Sequence, residues 1–589
     1  MTSHFHIGIA RQLLPLNLQL HFTRPFFQIC AITLSISACA PKQSTEYHQA
    51  VIVGSGYGGS VSALRLGEAG IETVVYEKGR RWDVDDPTDR TGTFATLESV
   101  FNIIAPDSRS VWLNNECFGN LYLLEFPLTL PCSKNTGALE RISSQANTTD
   151  LSPKLSIQNV EAWAGVGVGG SSLINNGITY RPLRAGWELA FDLDEMPYMN
   201  SLWNDLEQTY FARAESILLP TPIPEDILAS DYYENVRLHV QHMFSGGYPL
   251  TNGNDGNELH GTSMMPMIVD WNKVRDEIAG TRTASVIDGE AWWGINSDAK
   301  FSLDKADNYI GKAISTGHVN IRPLHTVRSI GFDPDQQLYT LKISRTNLAY
   351  QVQEEITVTT PTLIVAAGSL GTTKLMIAAK NQGGLPNLNE HVGTRWTNNG
   401  NTATLRIVSD EKVSQGGPAG SKSTNFDDPN APLTIENLSQ KVPAFVSLDP
   451  EGAPLVGSVL TIAVGVPSKF GRFSWDDTTD TVKLYWPEDG AKNIYDKFFA
   501  IMTELDAYGA HRVMPIEQAQ RLTVHPLGGM PLGLATDEYC QVKNYDSLYV
   551  VDGSVLPGPS ALANPSLLIS SIAERCAEKI VAQILNESE

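Results

Sequence analysis

Two polar residues lie in apolar stretches and could do proton chemistry. His525 lies in the tight, glycine-bearing apolar segment 524–530, and an imidazole can take up or give a proton near neutral pH. Glu436 has apolar residues close by in sequence, and an apolar pocket would raise its pKa toward that of a general base. Simpler roles stay open: His525 as a core histidine with one ring nitrogen bonded, and Glu436 as a solvated or salt-bridged side chain.

A third polar residue, Asn564, begins a predicted helix. It precedes Pro565 and a helical apolar stripe. Asn as the N-cap and Pro at the first helical position form a routine helix start. Residue types alone therefore leave the side chain of Asn564 without a required chemical role.

The first glycine segment has the pattern of a strand, a tight turn and a helix. The apolar run 50–53 is followed by Gly54, Gly56 and Gly59 in the order Gly-x-Gly-x-x-Gly, and the next apolar run ends at Glu77. Such glycines allow the turn and the approach of a pyrophosphate to the helix N-terminus. A carboxylate roughly 20 residues further on accepts hydrogen bonds from ribose hydroxyls. We predict a dinucleotide site; Glu77 would repel the 2′-phosphate of NADP, and the motif alone does not choose between NAD and FAD.

Later segments extend this unit. The glycines of 165–177 would let a planar group or another backbone come close, and the apolar Leu173 and Ile174 argue against a flexible linker. Residues 362–376 repeat strand, glycine turn and helix, with a continuous apolar strand suited to a parallel sheet buried on both faces. Residues 549–554 predict another buried strand that ends in an acid and a glycine.

Length and composition bound the class of protein. At 589 residues the chain exceeds one typical core, which predicts two joined domains. A hydrophobic content of 42% and a charged content of 18% fit a soluble globular protein. The net charge of -22 opposes nucleic acid and gives no attraction to an anionic membrane surface. It is compatible with a neutral substrate.

The N-terminal residues differ from the rest. Residues 26–39 are mostly apolar, follow Arg24, and resemble the h-region of a secretory signal. Residues 36–39 also resemble a bacterial lipobox, which would give a membrane tether through a lipidated Cys39. We expect an exported, periplasmic or membrane-anchored bacterial lipoprotein; an N-terminal extension on a cytoplasmic enzyme is the alternative.

The cysteines show no metal-ligand spacing, so no metal is predicted. Cys117 and Cys132 are close in sequence and could pair in an oxidising compartment. Cys540 and Cys576 are expected to be isolated thiols.

Elements outside the nucleotide unit are predicted from periodicity. Residues 83–158 are irregular, which is typical of a lid or entrance loop. Residues 200–218 predict a helix, and 414–432 predict a loop. A second sheet is predicted from four apolar segments: 434–436, 444–448, 459–464 and 482–486.

These motifs together resemble flavin-dependent cholesterol oxidases of the glucose–methanol–choline (GMC) oxidoreductase family. The resemblance runs from about His48 to the C-terminus and makes FAD the expected cofactor. It is carried by the separated segments 54–70, 165–177, 367–371, 525–529, 551–554 and 564–565. The chain departs from the family pattern at Asn176, Ile178 and Thr434 and across the lid.

The resemblance implies an α/β fold with a Rossmann-like FAD-binding domain and a second, antiparallel-sheet substrate domain. Residues 1–45 would be the leader and tether. The FAD-binding domain would comprise 46–90, 159–182, 307–397 and 513–589. The substrate-binding domain and lid would comprise 91–158, 183–306 and 398–512.

Roles for individual residues also follow from the resemblance. His525 would hold and deprotonate the substrate hydroxyl, Asn564 would orient substrate and reduced flavin, and Glu436 would move a proton between ring carbons. Glu77 would bind the adenosine ribose, and Val327 would lie near the adenine. The cofactor-binding positions implied in full are Gly54, Gly56, Tyr57, Gly58, Gly59, Glu77, Gly169, Gly170, Asn175, Gly177, Val327, Asp552 and Gly553.

The function implied is oxidation of a 3β-hydroxysteroid to the 3-ketosteroid, with isomerisation to the 4-en-3-one and electrons passed to oxygen. One alternative is a GMC dehydrogenase that oxidises another hydrophobic alcohol and uses a quinone or protein acceptor. Another is a non-catalytic flavin-containing protein that binds sterols.

Overall fold

The structure is a computed structural model. It describes residues 41–82, 113–114, 121–123, 126–128, 139–142, 153–251, 259–282, 284–287, 299–347, 351–407, 419–438, 458–505, 512–515 and 522–588.

The strands of these residues follow in chain order. They are β1 (Lys42–Tyr47), β2 (Ala50–Val53), β3 (Thr73–Tyr76), β4 (Leu113–Asn114), β5 (Leu121–Leu123), β6 (Phe126–Leu128), β7 (Leu139–Ile142), β8 (Lys154–Gln158), β9 (Glu161–Gly165), β10 (His260–Met264), β11 (Val319–Arg322), β12 (His325–Asp333), β13 (Leu338–Thr346), β14 (Val352–Thr360), β15 (Thr362–Val365), β16 (Thr402–Ile407), β17 (Ser421–Asn425), β18 (Leu433–Leu438), β19 (Ser458–Gly465), β20 (Arg472–Asp476), β21 (Thr481–Tyr485), β22 (Arg512–Pro515), β23 (Leu522–Thr523) and β24 (Leu548–Val550).

The helices are likewise numbered in chain order. They are α1 (Tyr57–Glu68), α2 (Arg184–Ala190), α3 (Tyr198–Asp205), α4 (Phe211–Leu218), α5 (Glu225–Leu228), α6 (Glu234–Ser245), α7 (Trp271–Ile278), α8 (Tyr309–Ser315), α9 (Gly368–Asn381), α10 (Lys492–Leu505) and α11 (Pro565–Ser588). Short 3-10 turns occupy Gly170–Leu173, Asp231–Tyr233 and Gly553–Val555, and a π-helical turn spans Leu206–Tyr210.

A five-stranded parallel sheet carries the first glycine turn. Its order is β11-β3-β2-β15-β24, and every neighbouring pair is parallel. The residues of β2, β3, β15 and β24 are all buried, as expected of apolar runs covered on both faces. The strand order changes direction beside β2, so a crevice opens at the carboxyl ends of β2 and β15, where such sheets bind ligands.

A six-stranded antiparallel sheet carries Glu436. Its order is β10-β17-β18-β19-β16-β22. Glu436 of β18 pairs with Lys422 of β17 and with Ile462 of β19. The remaining sheets are smaller: β1-β14-β13-β12, β20-β21-β8, β23-β9-β7-β4 and β5-β6.

Several element predictions are confirmed and others are wrong. The helical pattern over 200–218 is confirmed, although a π-helical turn at Leu206–Tyr210 separates two α-helices there. The predicted loop over 414–432 contains β17, whose polar sequence gave no apolar signal. Residues 482–486 lie mostly in β21, which pairs with β20 and β8 rather than joining the sheet of Glu436. The strand predicted at 444–448 and most of the predicted lid lie outside the described residues.

The prediction that Cys540 and Cys576 are isolated thiols is wrong. Their sulfurs form a disulfide, and both residues are fully buried. The bond ties α11 to the loop before β24 across a sequence separation of 36 residues. Sequence spacing could not show the pair, because that separation does not report distance in space. Cys117 and Cys132 lie outside the described residues.

Among the described residues, no helix combines the length and the apolar character needed to cross a membrane. The predicted domain boundaries stay a prediction.

Candidate active site

One cavity of about 520 Å³ joins the glycine turn to the three candidate catalytic residues. It lies at the carboxyl ends of the parallel strands and continues to the antiparallel sheet. At one end it is lined by Gly54, Gly56 and Glu77, and at the other by His525 and Asn564 together with Glu436. The fold therefore brings into one space groups that lie up to about 500 residues apart in the chain.

The glycine turn is shaped by close backbone contacts. Gly54 has φ +95, and a Cβ there would lie 2.3 Å from the carbonyl oxygen of Ala366. A Cβ on Gly58 would lie 1.8 Å from the oxygen of Val551. A Cβ on Gly56, in contrast, would meet no atom within 4 Å. Gly56 therefore faces the open cavity, whereas Gly54 and Gly58 allow the neighbouring strand ends to pack.

Glu77 links the two glycine segments through Ser55. Its Oε2 accepts hydrogen bonds from the Ser55 amide at 3.0 Å and from Ser55 Oγ at 2.8 Å, and its Oε1 accepts from the Gly79 amide at 2.8 Å. Ser55 Oγ in turn accepts from the Gly169 amide at 3.1 Å. Burial raises the pKa of Glu77, and these donors oppose that effect. The carboxylate is therefore fixed at the cavity wall.

The second glycine segment is held by a buried lysine. Lys300 Nζ donates to the carbonyl oxygens of Leu173 at 2.9 Å and Asn175 at 2.8 Å. Asn175 Nδ2 then donates to the hydroxyl of Tyr57 at 2.7 Å, and both side chains line the cavity. Burial lowers the pKa of Lys300 to about 7. Lys300 thus fixes the loop without entering the cavity.

Asp552 ties the ends of two parallel strands together. Its Oδ2 accepts from the Gly368 amide at 2.9 Å and from Thr372 Oγ1 at 2.5 Å, and its Oδ1 accepts from the Ser554 amide at 2.8 Å. Burial raises its pKa, and these hydrogen bonds oppose the rise. Asp552 lines the cavity while it braces the N-terminus of α9 against the loop after β24.

The far end of the cavity has an apolar floor from the antiparallel sheet. Because alternate residues of a strand share a face, Glu436 and Leu438 of β18 point to the same side. Leu460 and Ile462 of β19 and Ala403 of β16 complete this wall. Glu436 is therefore a single carboxylate on an otherwise apolar surface.

Glu436 is held by Tyr180 and Asn564. The Tyr180 hydroxyl donates to Oε1 at 2.6 Å, and Asn564 Nδ2 lies 3.0 Å from Oε1 and 3.1 Å from Oε2. Burial raises the pKa of Glu436, while these donors and the charge of Lys422 oppose the rise. Thr434 Oγ1 donates to the Leu562 carbonyl at 2.7 Å, which holds the segment before α11 against β18. The side-chain amide of Asn564 therefore donates to the Glu436 carboxylate rather than only beginning a helix.

His525 is oriented by Asn401. The Oδ1 of Asn401 accepts from the Val524 amide at 3.2 Å, and its Nδ2 donates to the Ala463 carbonyl at 3.3 Å. These backbone partners fix the orientation of the amide, so the Nδ2 that lies 3.2 Å from His525 Nδ1 is a donor. Burial lowers the pKa of His525 to about 4. The neutral ring therefore accepts at Nδ1 and carries its proton on Nε2. This tautomer does not fit the expectation that His525 deprotonates the substrate hydroxyl, because Nε2 can donate to a substrate oxygen but has no free lone pair for its proton.

The predicted site residues fall into two groups. Those on the cavity wall are His525, Asn564, Glu436, Gly54, Gly56, Tyr57, Gly58, Glu77, Gly170, Asn175, Val327, Asp552 and Gly553. Gly59, Gly169 and Gly177 lie behind the wall. A Cβ on Gly59 would lie 2.1 Å from the Gly54 carbonyl, so its role here is close packing.

Sequence reasoning missed Tyr180, Asn401 and Lys300. Tyr180 is 256 positions from Glu436, and Asn401 is 124 positions from His525. Tyr180 lies three positions after the end of the second glycine segment, and this proximity was a usable signal. Asn401 and Lys300 lie in ordinary polar surroundings that gave none.

Comparisons with known proteins agree with this arrangement. A family model described as GMC oxidoreductase matches residues 500–573. A cholesterol oxidase from Acinetobacter baumannii is 26% identical over 596 residues, covering 90% of this chain and 94% of that protein. A cholesterol oxidase from Mycobacterium tuberculosis is 24% identical over 603 residues, covering 90% of each chain.

A solved structure gives the fold independently. The crystal structure of pyridoxine 4-oxidase from Mesorbium loti matches with a TM-score of 0.54 and 16% identity, covering 90% of this chain and 99% of that one. The predicted α/β fold class, with a Rossmann-like domain and a second substrate domain, is confirmed. By these matches the chain is similar to GMC oxidoreductases: its C-terminal segment matches the family model, and most of its length is similar to cholesterol oxidases.

Proposed function

We propose that the chain uses FAD to oxidise a 3β-hydroxysteroid, or a closely related hydrophobic secondary alcohol, to the ketone. The observation that carries the proposal is the placement of His525, Asn564 and Glu436 at the apolar end of the cavity that begins at the glycine turn. The relatives named cholesterol oxidase support the steroid class of substrate.

The residues at the other end fit FAD. Gly56 leaves its surface open to the cavity, as a pyrophosphate needs, and the N-terminus of α1 follows at Tyr57. The Glu77 carboxylate is fixed by Ser55 and Gly79 and can still accept from ribose hydroxyls. FAD would supply the acceptor for the hydride of the carbinol carbon, and the proton of the substrate hydroxyl would leave to solvent.

The chain's own residues would bind and orient the alcohol. The Nε2–H of neutral His525 can donate to the substrate oxygen, while the apolar side chains of Leu438, Leu460 and Ile462 line the site beside it. This apolar wall favours binding of a large hydrocarbon over a short polar alcohol, because more apolar surface of the ligand is removed from water on binding. Asn564, whose amide bonds the Glu436 carboxylate, would orient that carboxylate and the substrate relative to each other.

Anaerobic mixing with a panel of sterols and short alcohols tests the proposal. We expect a 3β-hydroxysterol to bleach the flavin absorbance, and His525→Gln to slow this reduction about 100-fold or more while FAD stays bound. Unchanged reduction in His525→Gln would remove its assignment. Oxygen consumption measured with and without an artificial acceptor then separates an oxidase from a dehydrogenase. Sterol binding without bleaching would favour a non-catalytic sterol-binding protein.

Isomerisation to the 4-en-3-one is part of the proposal and depends on Glu436. We expect Glu436→Gln to abolish the conjugated enone and to spare the 5-en-3-one, which chromatography distinguishes by ultraviolet absorbance. Release of conjugated enone by this variant at the wild-type rate would reject the role of Glu436.

We further propose export, with a membrane tether through a lipidated Cys39. The buried disulfide between Cys540 and Cys576 supports an oxidising compartment. Fractionation of the producing cells, with mass spectrometry of the N-terminal peptide, tests this. Recovery of the intact N-terminus in the cytoplasmic fraction would contradict it.

A further inference from the structure

The two oxygens of the Glu436 carboxylate have different surroundings. Oε1 accepts from the Tyr180 hydroxyl at 2.6 Å and from Asn564 Nδ2 at 3.0 Å, whereas Oε2 shares only the Asn564 amide, at 3.1 Å. All three side chains are buried. A carboxylate oxygen has two lone pairs, so Oε2 keeps capacity for a proton.

A positive charge lies beside this carboxylate on the same face of the sheet. Lys422, 2% exposed, pairs with Glu436 in the β17–β18 register. Its Nζ lies 4.1 Å from the centre of the Tyr180 ring, within the range of a cation–π interaction. The lysine therefore stabilises both the ring of Tyr180 and the negative charge of Glu436.

We propose that Tyr180 and Lys422 are positioning residues that keep Glu436 ionised in one orientation, with Oε2 as the proton acceptor for steroid isomerisation. This inference rests on the proposed function and assigns two residues to it that sequence motifs did not include. Tyr180 acts through its hydrogen bond to Oε1, and Lys422 acts through charge.

The step that Glu436 performs is a redox-neutral proton transfer. Oε2 removes a proton from C4 of the 5-en-3-one, and the electron pair of that C–H bond forms a dienolate. The same proton then returns to C6 as the double bond moves to C4–C5. The Nε2–H of His525, set by Asn401, can donate to the oxygen on C3 while negative charge develops there.

The charged and titratable groups around Glu436 set its pH dependence. Among the described residues, Tyr180 follows the second glycine segment, Lys422 comes from β17, and a neutral His525 faces the same cavity. Ile462 of β19 and Asn564 complete the surroundings and do not titrate. Loss of the Tyr180 hydroxyl removes a donor that favours the charged carboxylate.

The experiment measures the rate at which the protein isomerises a steroid 5-en-3-one at a series of pH values. This reaction needs no net oxidation. We expect Tyr180→Phe to raise the apparent pKa of Glu436 by about 1–2 units, because the free energy of one hydrogen bond to a charged group corresponds to a pKa change of about this size. Lys422→Gln should move the pKa in the same direction. The infrared band of the protonated carboxyl, assigned with Glu436→Gln, should move with the same pKa.

Tyr309→Phe is the matched control. The Tyr309 hydroxyl also donates to a buried glutamate, Glu574 Oε1 at 2.7 Å, but neither residue lines the cavity. This variant should leave the isomerisation profile and the Glu436 band unchanged. A Tyr180→Phe profile and band that shift no more than those of Tyr309→Phe would overturn the proposal. If the wild type isomerises no steroid, the proposed isomerase function fails, while a band shifted in Tyr180→Phe would still support the role of Tyr180.

Discussion

Substitution of Gly56 by alanine separates cofactor binding from folding. Gly56 has φ -69 and ψ -166, a conformation that alanine adopts freely. Its added Cβ would meet no protein atom within 4 Å. The methyl group therefore enters only the cavity, in the space that a pyrophosphate would occupy.

The magnitudes follow from this geometry. We expect Gly56→Ala to change the free energy of unfolding of the cofactor-free protein by no more than about 0.5 kcal/mol. FAD affinity should fall about 100-fold or more, or about 2.8 kcal/mol. Gly58→Ala should instead disrupt the fold itself, because its Cβ would lie 1.8 Å from the Val551 carbonyl oxygen.

The assay is a flavin titration followed by fluorescence, beside thermal unfolding with and without FAD. Gly331→Ala is the matched control, since its Cβ would find its nearest atoms at 3.9 Å and the residue lies on β12 outside the cavity wall. Its FAD affinity should equal that of the wild type. Wild-type affinity in Gly56→Ala would refute the placement of the pyrophosphate at this turn.

Three other predictions concern His525 and the disulfide. Asn401→Asp keeps an acceptor for the Val524 amide but replaces the donor to His525 Nδ1 by a carboxylate. The pKa of His525 should therefore rise by about 1–3 units, and the proton of the neutral ring should move from Nε2 to Nδ1. Nitrogen NMR of the ring checks both results, and an unchanged spectrum would contradict them. The pKa of His525 is lowered from 6.5 to about 4 in the folded protein, so the unfolded chain binds more protons between these two pH values. The stability of the fold should therefore decrease as the pH drops from 6.5 toward 4. Thermal unfolding should show a smaller decrease for His525→Asn, and equal decreases would contradict the lowered pKa of His525. Cys576→Ser should lower the free energy of unfolding by about 2–4 kcal/mol; denaturant unfolding measures this, and free thiols at both positions in the purified wild type would contradict the bond.

The glycine-turn end of the cavity could be predicted from sequence because its signals are local. Gly54, Gly56 and Glu77 belong to one strand–turn–helix–strand unit, in which spacing determines position. The parallel sheet followed for the same reason, since four of its five strands, β2, β3, β15 and β24, are apolar runs whose residues are all buried. The polar strand β17 was missed because periodicity reports apolar faces, and its residues are buried by pairing with β10 and β18 instead.

The contacts at the end of the cavity that holds Glu436 and His525 could be found only in the structure, because they join distant parts of the chain. Nothing near Glu436 in sequence indicates Tyr180, and nothing near His525 indicates Asn401. The interpretation of Asn564 as a routine helix start was incomplete, since its amide also bonds the Glu436 carboxylate. The disulfide was missed for the same reason as these contacts.

In the proposed function, His525, Asn564 and Glu436 meet a hydrophobic alcohol beside a flavin held at the Gly56 turn. Anaerobic stopped-flow mixing of the protein, after incubation with FAD, with a 3β-hydroxysterol tests this most directly. We predict bleaching of the flavin absorbance that saturates with sterol and slows about 100-fold in His525→Gln. A protein that takes up no FAD, or a flavin that every sterol in the panel leaves oxidised, would contradict the account.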